Sequence, residues 1–170
     1  AERRARPARD PQPGQGAVTD ASTAPKSNLA VDTAEDTDVA AIVALWERCE
    51  LTRPWNEQQA DIARARGKTN SEVLVGRDGN TIVATVMVGH DGHRGWVYYV
   101  AVDPDHHNKG YGRAIMASAE DWLRDRGIEK LQLLVRADNT RVQAFYETLD
   151  YDQQERVVYA KWLDGRPMTP

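Results

Sequence analysis

The residues best suited to carry chemistry lie in one glycine-rich segment in the second half of the chain. An apolar run ending in Val-Asp-Pro is followed, three residues later, by the sequence Asn-Lys-Gly-Tyr-Gly-Arg, which occupies positions 108–113. Glycines let a backbone approach a bound phosphate closely, and the first turn of a helix offers free N–H groups and the positive end of its dipole. The segment therefore predicts an anion site at the start of a helix or, alternatively, a helix start whose glycines serve only packing.

The residues at the motif positions exclude two common nucleotide-binding motifs. A P-loop requires GxxxxGK[ST], which the chain lacks. A Rossmann turn requires glycine or alanine at the sixth position of its motif, where this segment has Ile115. A chain of 170 residues is also short for a dehydrogenase with a separate substrate domain.

The elements on either side of the glycines must hold this segment in place. Residues 96–103 are predicted to form a strand, a helix follows the glycines and ends at Gly127, and 131–135 form the next strand. A strand–helix–strand unit with short links needs a right-handed crossover. The two strands are therefore predicted to run parallel.

The rest of the chain predicts a sheet of mixed direction. Strands at 72–75 and 81–88 flank the turn signal Asp78-Gly79 and should pair antiparallel. The remaining predicted elements are a strand at 29–31, helices at 36–50 and 56–67, a helix at 140–148 capped by Asp138-Asn139, and a last strand at 156–162. The order βααβββαβαβ predicts an α/β fold: a mixed, mostly antiparallel sheet with one parallel strand pair and helices on both faces.

Composition and charge restrict the partners of the chain. Hydrophobic residues make up 41% and charged residues 28%, which is typical of a globular domain, and no apolar stretch is long enough to span a membrane. Residues 1–28 are polar with a net charge of +2, and are predicted to be a disordered tail before a domain at 29–170. Because the whole chain carries −4, the domain carries −6, which disfavours nucleic acid and membranes as partners.

A metal site is not predicted. Cys49 is the single cysteine, which excludes a Cys-based zinc cage as well as an intramolecular disulfide. Two of the four histidines precede the strand at 96–103 and two follow it, so an extended strand separates the pairs by ~30 Å. Metal–nitrogen bonds are only ~2.1 Å long, so one ion cannot join them.

The glycine-rich segment resembles motif A of the GNAT superfamily, the N-acetyltransferases that use acetyl-CoA. That motif reads Arg/Gln-x-x-Gly-x-Gly/Ala, and here it spans residues 107–112, with His107 in place of Arg or Gln. Residues 135–151 are similar to a second family signature, V-R-x-x-N-x-x-A-x-x-x-Y-E-x-x-G-F/Y, with Val142 at the usual Ala. Asp150 stands at its usual Gly and is predicted to adopt the left-handed backbone conformation. The resemblance covers about residues 29–163, and segments 45–49, 53–56 and 91–95 look like the bacterial YpeA-type acetyltransferases.

The resemblance implies roles for specific residues. The cofactor pyrophosphate would be anchored by the N–H groups of His107, Asn108, Lys109, Gly110, Tyr111, Gly112 and Arg113. The pantetheine arm would lie along Val100, Ala101 and Val102, one of whose N–H groups polarises the thioester carbonyl, with Asn139 on its other side. Tyr146 would be the general acid that protonates the leaving thiolate, since a phenol has a pKa of ~10. Packing of the Phe145-Tyr146 pair is the alternative for that residue.

The general base is left open. The ribosomal-protein N-terminal acetyltransferases carry a Glu before the Val-Arg of the second motif, where this chain has Leu134. The candidates are Tyr98, on the strand beside the thioester, and His90, Asp91 or His93 in the preceding turn, acting through water.

Two functions follow as hypotheses. The first is a cytoplasmic N-acetyltransferase, a monomer or homodimer, that transfers the acetyl group of acetyl-CoA by direct attack of a primary amine. The acceptor is a small molecule, a protein lysine or a protein N-terminus. The alternative is a GNAT-fold module that binds acyl-CoA as a sensor without turnover.

Overall fold

A computed structural model describes residues 27–167 of the chain. Its strands are β1 (Ala30–Thr33), β2 (Ser71–Asp78), β3 (Thr81–His90), β4 (Gly95–Val102) and β5 (Leu131–Gln132). Its helices are α1 (Val39–Arg48), α2 (Gln58–Ala65), α3 (Tyr111–Arg124) and α4 (Thr140–Glu147), with short 3-10 turns at Asp36–Asp38 and Pro104–His106. No helix within residues 27–167 is long and apolar enough to cross a membrane.

The strands form one sheet in the order β1-β2-β3-β4-β5. The first three pairings are antiparallel, and β4 pairs parallel with β5, as the crossover predicts. This last pairing consists of Gly95 opposite Leu131 and Trp96 opposite Gln132, and goes no further along the strands. We call the space beyond the second pair, between β4 and the chain that follows β5, the β4–β5 cleft.

A bulge interrupts β4 halfway along. Thr85 of β3 lies opposite Ala101, and Met87 lies opposite Tyr98, so that Val86 faces two residues of β4 rather than one. One of these two, Tyr99, has a φ of 49°, which is rare for a residue with a large side chain. The extra residue places Tyr98 and Tyr99 on the same face of the sheet, since side chains otherwise alternate.

Each face of the sheet has its own core. Helices α1 and α2 cover one face and bury Ile42, Trp46 and Ile62 against it, and Tyr99 of the sheet packs against this cluster. Helices α3 and α4 cover the other face, whose buried residues are Leu74, Ala84, Val86, Val88, Val97, Ile115, Met116, Ala119, Leu123 and Tyr146. The mixed sheet with helices on both faces is thus confirmed.

The structure differs from the sequence predictions near the C-terminus. The predicted strand at 156–162 is wrong, because these residues pair with no strand in the described part of the chain and all but the half-buried Trp162 are exposed. The predicted strand at 131–135 is regular only at its first two residues. Asp150 has a φ of 63°, so its left-handed conformation is confirmed. Most of the predicted tail, residues 1–26, lies outside the described residues.

Candidate active site

The glycine turn leads directly into α3. Gly110 is the residue before the first helical position and has a φ of 77°, a conformation that glycine adopts without a steric penalty. Gly112 serves a different purpose, because a Cβ atom there would lie 3.0 Å from the ring of Phe145 in α4. The first glycine therefore shapes the turn, whereas the second lets α3 and α4 approach each other.

Positive side chains surround this turn and have partners of their own. The Lys109 ammonium lies 3.8 Å from the Asp78 carboxylate, to which the Tyr111 hydroxyl also donates a hydrogen bond of 2.6 Å. The Arg113 guanidinium donates to the Thr148 carbonyl at the end of α4. Asp78 and Thr148 thereby tie the start of α3 to the β2–β3 hairpin and to α4.

Arg141 joins the predicted site. Its guanidinium lies 3.2 Å from Nδ1 of His107, and Nε2 of His107 lies 3.2 Å from the Val102 carbonyl. His107 thus links the end of β4 to the first turn of α4. Arg141 is not among the site residues predicted from the sequence. Its position two residues after a helix cap was a usable signal, because a cation there opposes the helix dipole and is unfavourable unless it has a partner or a function.

The β4 residues assigned to the pantetheine arm divide between the two faces. Ala101 is buried in the α1–α2 core, while Val100 and Val102 pack against the α3–α4 core. The Val102 carbonyl also accepts a hydrogen bond from the Cys49 thiol at 3.4 Å. The bulge consists of Tyr99 and Val100, so it sets the direction in which the N–H groups of this stretch point.

Tyr146 lies in an apolar and aromatic environment. Its ring meets Phe145 and Tyr151 edge-on, with centroids at 5.1 Å and 5.6 Å. Burial raises the pKa of Tyr146 to about 12. Asn139 begins the same helix, where its side-chain oxygen accepts a hydrogen bond from the Val142 N–H. The sequence-predicted cap is therefore confirmed.

The base candidates are separated by the structure. Asp91 accepts hydrogen bonds from the N–H groups of Arg94 and His93, which hold the pKa of its carboxyl below the usual value. His90 packs beside Trp122 at a ring distance of 5.9 Å. This turn lies at the paired end of β4, whereas Tyr98 lies beside the bulge, on the α1–α2 face.

Tyr98 lines a pocket of about 390 Å³ on that face. The other residues of its wall are Leu51, Asn56, Asp61, Met87 and Tyr99. No three histidine, cysteine, aspartate or glutamate side chains between residues 27 and 167 come together as a metal-binding group. The candidate site therefore has three parts: the turn at the start of α3, the cleft beside the bulged strand β4, and the pocket beside Tyr98. The turn and the cleft suit a phosphate-bearing ligand, and the pocket suits a second molecule.

A family comparison agrees with this geometry. Residues 39–151 match the model of the acetyltransferase (GNAT) family. The chain belongs to the GNAT family. The match includes α1, the bulged strand, the glycine turn and α4, which are the elements that build the site.

Bacterial relatives of this GNAT chain are acetyltransferases. A Yersinia pestis acetyltransferase is 41% identical over 126 residues, which are 74% of this chain and 89% of the relative. An acetyltransferase of Yersinia enterocolitica is 40% identical over 129 residues, 76% of this chain and 92% of the relative. The chain is thus an N-acetyltransferase of the GNAT family, while the finer YpeA-type resemblance stays a prediction.

Solved structures confirm the GNAT fold. The ribosomal-protein-S18-alanine N-acetyltransferase from Escherichia coli matches with a TM-score of 0.64 and 26% identity, over 81% of this chain and 87% of that protein. The aminoglycoside N-acetyltransferase AAC(6')-Iy, solved with CoA, matches with a TM-score of 0.70 and 14% identity, over 81% of this chain and 96% of that protein.

Proposed function

We propose that acetyl-CoA binds in the β4–β5 cleft with its pyrophosphate at the glycine turn, and that a primary amine attacks the acetyl carbonyl directly. The amine attacks in its neutral form, its protons pass to water or to one of the base candidates, and the C–S bond breaks to release the CoA thiolate. One observation carries this proposal: β4 and β5 pair over only two residues and then part. Within residues 27–167, the backbone of β4 beyond that point has no partner strand on the cleft side. Those of its N–H and C=O groups that are not bonded to β3 or, like the Val102 carbonyl, to a side chain are therefore available to a ligand. The glycine turn and the start of α4 lie at the far end of the same cleft.

The turn suits a phosphate-bearing group. Gly110 is exposed, its φ is positive, and the helix that it begins runs for 14 residues. Lys109, Arg113 and Arg141 supply positive charge around it, each already oriented by a partner. In this proposal Arg141 supplies the fixed charge that His107 lacks, because a guanidinium stays protonated where an imidazole does not.

The cofactor supplies the activated acetyl thioester, and the chain supplies orientation and a proton. An N–H group among Val100, Ala101 and Val102 is proposed to polarise the carbonyl, since donors fixed by a strand cost no reorganisation. Asn139 is already engaged as a helix cap through its side-chain oxygen, which leaves its amide N–H groups for the pantetheine arm.

Tyr146 is proposed to donate its hydroxyl proton to the leaving sulfur and to regain one from solvent. A phenol with a pKa of about 12 holds its proton firmly at neutral pH. The same burial would raise the pKa of a thiol beside it, because a low dielectric disfavours every anion. The pKa values of the phenol and the thiol therefore rise together, and the proton moves to sulfur only as negative charge develops there.

The experiment compares two tyrosines, Tyr146 and Tyr151, whose rings meet edge-to-face. Tyr146→Phe should lower kcat by about 10²–10⁴-fold, measured as thiol release with a panel of amines, because the change removes one acid–base group. Calorimetry should show unchanged acetyl-CoA affinity. Tyr151→Phe is the matched control, since it removes the hydroxyl that donates to Glu120 and leaves the ring in place.

Three outcomes would contradict parts of the proposal. Undiminished kcat in Tyr146→Phe, at saturating acetyl-CoA and with chemistry rate-limiting, would leave Tyr146 as a packing residue. Equal losses in both variants would indicate a structural effect. Acetyl-CoA binding without turnover of any amine would favour the sensor hypothesis.

A further inference from the structure

The bulge in β4 builds a second feature besides the cleft. Because it places Tyr98 and Tyr99 on one face, both side chains line the 390 Å³ pocket between the sheet, α2 and the loop that precedes α2. A regular strand would send one of the two rings to the opposite face. The pocket therefore depends on an irregularity of the strand that also borders the cleft.

Tyr99 is held from three sides. Its ring stacks on Trp46 with centroids 3.9 Å apart and planes 8° from parallel. The Thr85 hydroxyl accepts a hydrogen bond from the Trp46 indole N–H and donates one to the Tyr99 carbonyl. The Tyr99 hydroxyl accepts from the Asn56 amide at 3.0 Å and donates to the Asp61 carboxylate at 2.9 Å. These contacts offset the strain of its positive φ and fix the position of Asp61.

Asp61 is the one carboxylate among the residues that line this pocket. Its second oxygen pairs with Arg64 at 2.6 Å, and its side chain is 23% exposed. A carboxylate has about four acceptor positions, so these two bonds leave room for a further donor. Leu51, Met87 and Tyr98 form apolar walls around it.

We propose that this pocket binds the acceptor as a monoamine, with its ammonium on Asp61 and an apolar or aromatic body against Leu51, Met87 and Tyr98. The inference rests on the proposed function, since it takes the bound amine to be the acetyl acceptor. Amines are protonated in neutral solution, so the pocket must first recognise the acceptor as a cation. An ammonium has three donors, which complement the free positions of a carboxylate that is itself held by hydrogen bonds.

The surrounding charges disfavour polyamines. Arg64 already shares the Asp61 carboxylate, so the local charge of that pair is close to neutral. Arg53 lies close to the same wall and donates to the carbonyls of Glu50 and Thr52. A second or third ammonium on one acceptor would meet these guanidinium groups without a carboxylate of its own in the pocket. One positive charge on an apolar body is therefore the best fit.

The test is a binding titration without acetyl-CoA, so it does not depend on turnover. The probes are 2-phenylethylamine, its neutral analogue 2-phenylethanol, and spermidine as a polyamine. Binding is followed by NMR through the indole N–H of Trp46, which lies directly beneath Tyr99. The wild-type chain should bind 2-phenylethylamine at least tenfold more tightly than the alcohol, and more tightly than spermidine.

The decisive variant is Asp61→Asn, which should remove the preference for the amine and leave affinity for the alcohol unchanged. Asp121→Asn is a matched control, because Asp121 pairs with Arg124 three residues on, as Asp61 does with Arg64, but lies on α3. Tyr98→Ala is a second variant that tests the same pocket if Asp61→Asn does not fold. The ring of Tyr98 is 52% exposed, and its loss should weaken amine and alcohol alike.

Several results would overturn the inference: no shift at millimolar amine, equal affinity for amine and alcohol, tighter binding of spermidine, or a preference that persists in Asp61→Asn. None of them bears on acetyl-CoA binding or on the effect of Tyr146→Phe. Conversely, a wild-type chain that does not bind acetyl-CoA would overturn the proposed function, but the amine titration could still be measured and interpreted.

Discussion

The two faces of the sheet place a tyrosine at the site by opposite means. Under α1 and α2, Tyr99 is joined by directional hydrogen bonds to Thr85, Asn56 and Asp61. Under α3 and α4, Tyr146 lies among apolar and aromatic side chains and is flanked by rings. The first arrangement fixes where a polar group points, and the second fixes how firmly it holds its proton. Binding of an amine needs the first property, whereas protonation of a thiolate needs the second.

The largest expected effect tests whether the two faces serve different molecules. Gly110→Asp should weaken acetyl-CoA binding by more than about 100-fold, because its carboxylate would repel the pyrophosphate at the helix start. Gly110→Asn is the matched control, since it has the same size and tolerates the same positive φ but carries no charge. Calorimetry should show a much smaller loss for the Asn variant.

The same variant also sharpens the comparison. Amine binding, read from the Trp46 indole signal, should be unchanged in Gly110→Asp. A parallel loss of both ligands would show that the faces are not independent. Wild-type acetyl-CoA affinity in the Asp variant would refute the assignment of the glycine turn.

The next effect concerns stability. Tyr99→Phe should lower the free energy of unfolding by about 1–3 kcal/mol, because the Asp61 carboxylate and the Asn56 amide lose a partly buried hydrogen-bond partner. Tyr146→Phe should leave stability almost unchanged, because no hydrogen bond of its hydroxyl to the described residues is seen. Urea unfolding of the two variants measures the difference directly. Equal values would mean that the polar network contributes no more than packing.

The smallest effect is confined to alkaline pH. Because burial raises the pKa of Tyr146 from 10 to about 12, the folded chain keeps a proton that the unfolded chain releases. The stabilisation is therefore complete below pH 10 and is lost as the pH rises towards 12, by about 2 kcal/mol. Tyr146→Phe should show a shallower decline over this range in unfolding titrations. An identical slope in both proteins would mean that the Tyr146 hydroxyl is hydrated in the folded state.

Much of the fold could be predicted because apolar spacing reflects burial directly. The strand at 96–103 and the helix ending at Gly127 were found from such spacing within a residue or a few of their observed limits. The strand at 156–162 was wrong for the opposite reason. Val157, Val158 and Tyr159 have high strand propensity, but propensity supplies no partner, and in the described structure these residues are exposed.

The site was predicted unevenly. The glycine turn and Tyr146 could be predicted because helix starts and family motifs are recognised from residues that are adjacent in the sequence. The bulge could not be predicted in this way, because Tyr98 and Tyr99 have equally high strand propensity. Only the pairing register with Met87 and Thr85 shows that β4 has an extra residue here. Asp61 was missed for the same reason: it is one acid on a polar helix until Tyr99 is placed against it.

The brief pairing of β4 with β5 also has a mechanical consequence. The pairs at Gly95 and Trp96 form the hinge beyond which β4 and the chain after β5 diverge, and Val102 lies about 20 Å from this hinge along β4. A rotation of about 5° at the hinge would move that tip by nearly 2 Å over such a length. A Cβ atom on Gly95 would lie 2.5 Å from the Leu123 side chain, so an alanine there would require this buried leucine to shift. The closed end of the cleft thus has room for Leu123 of α3 only because Gly95 has no side chain.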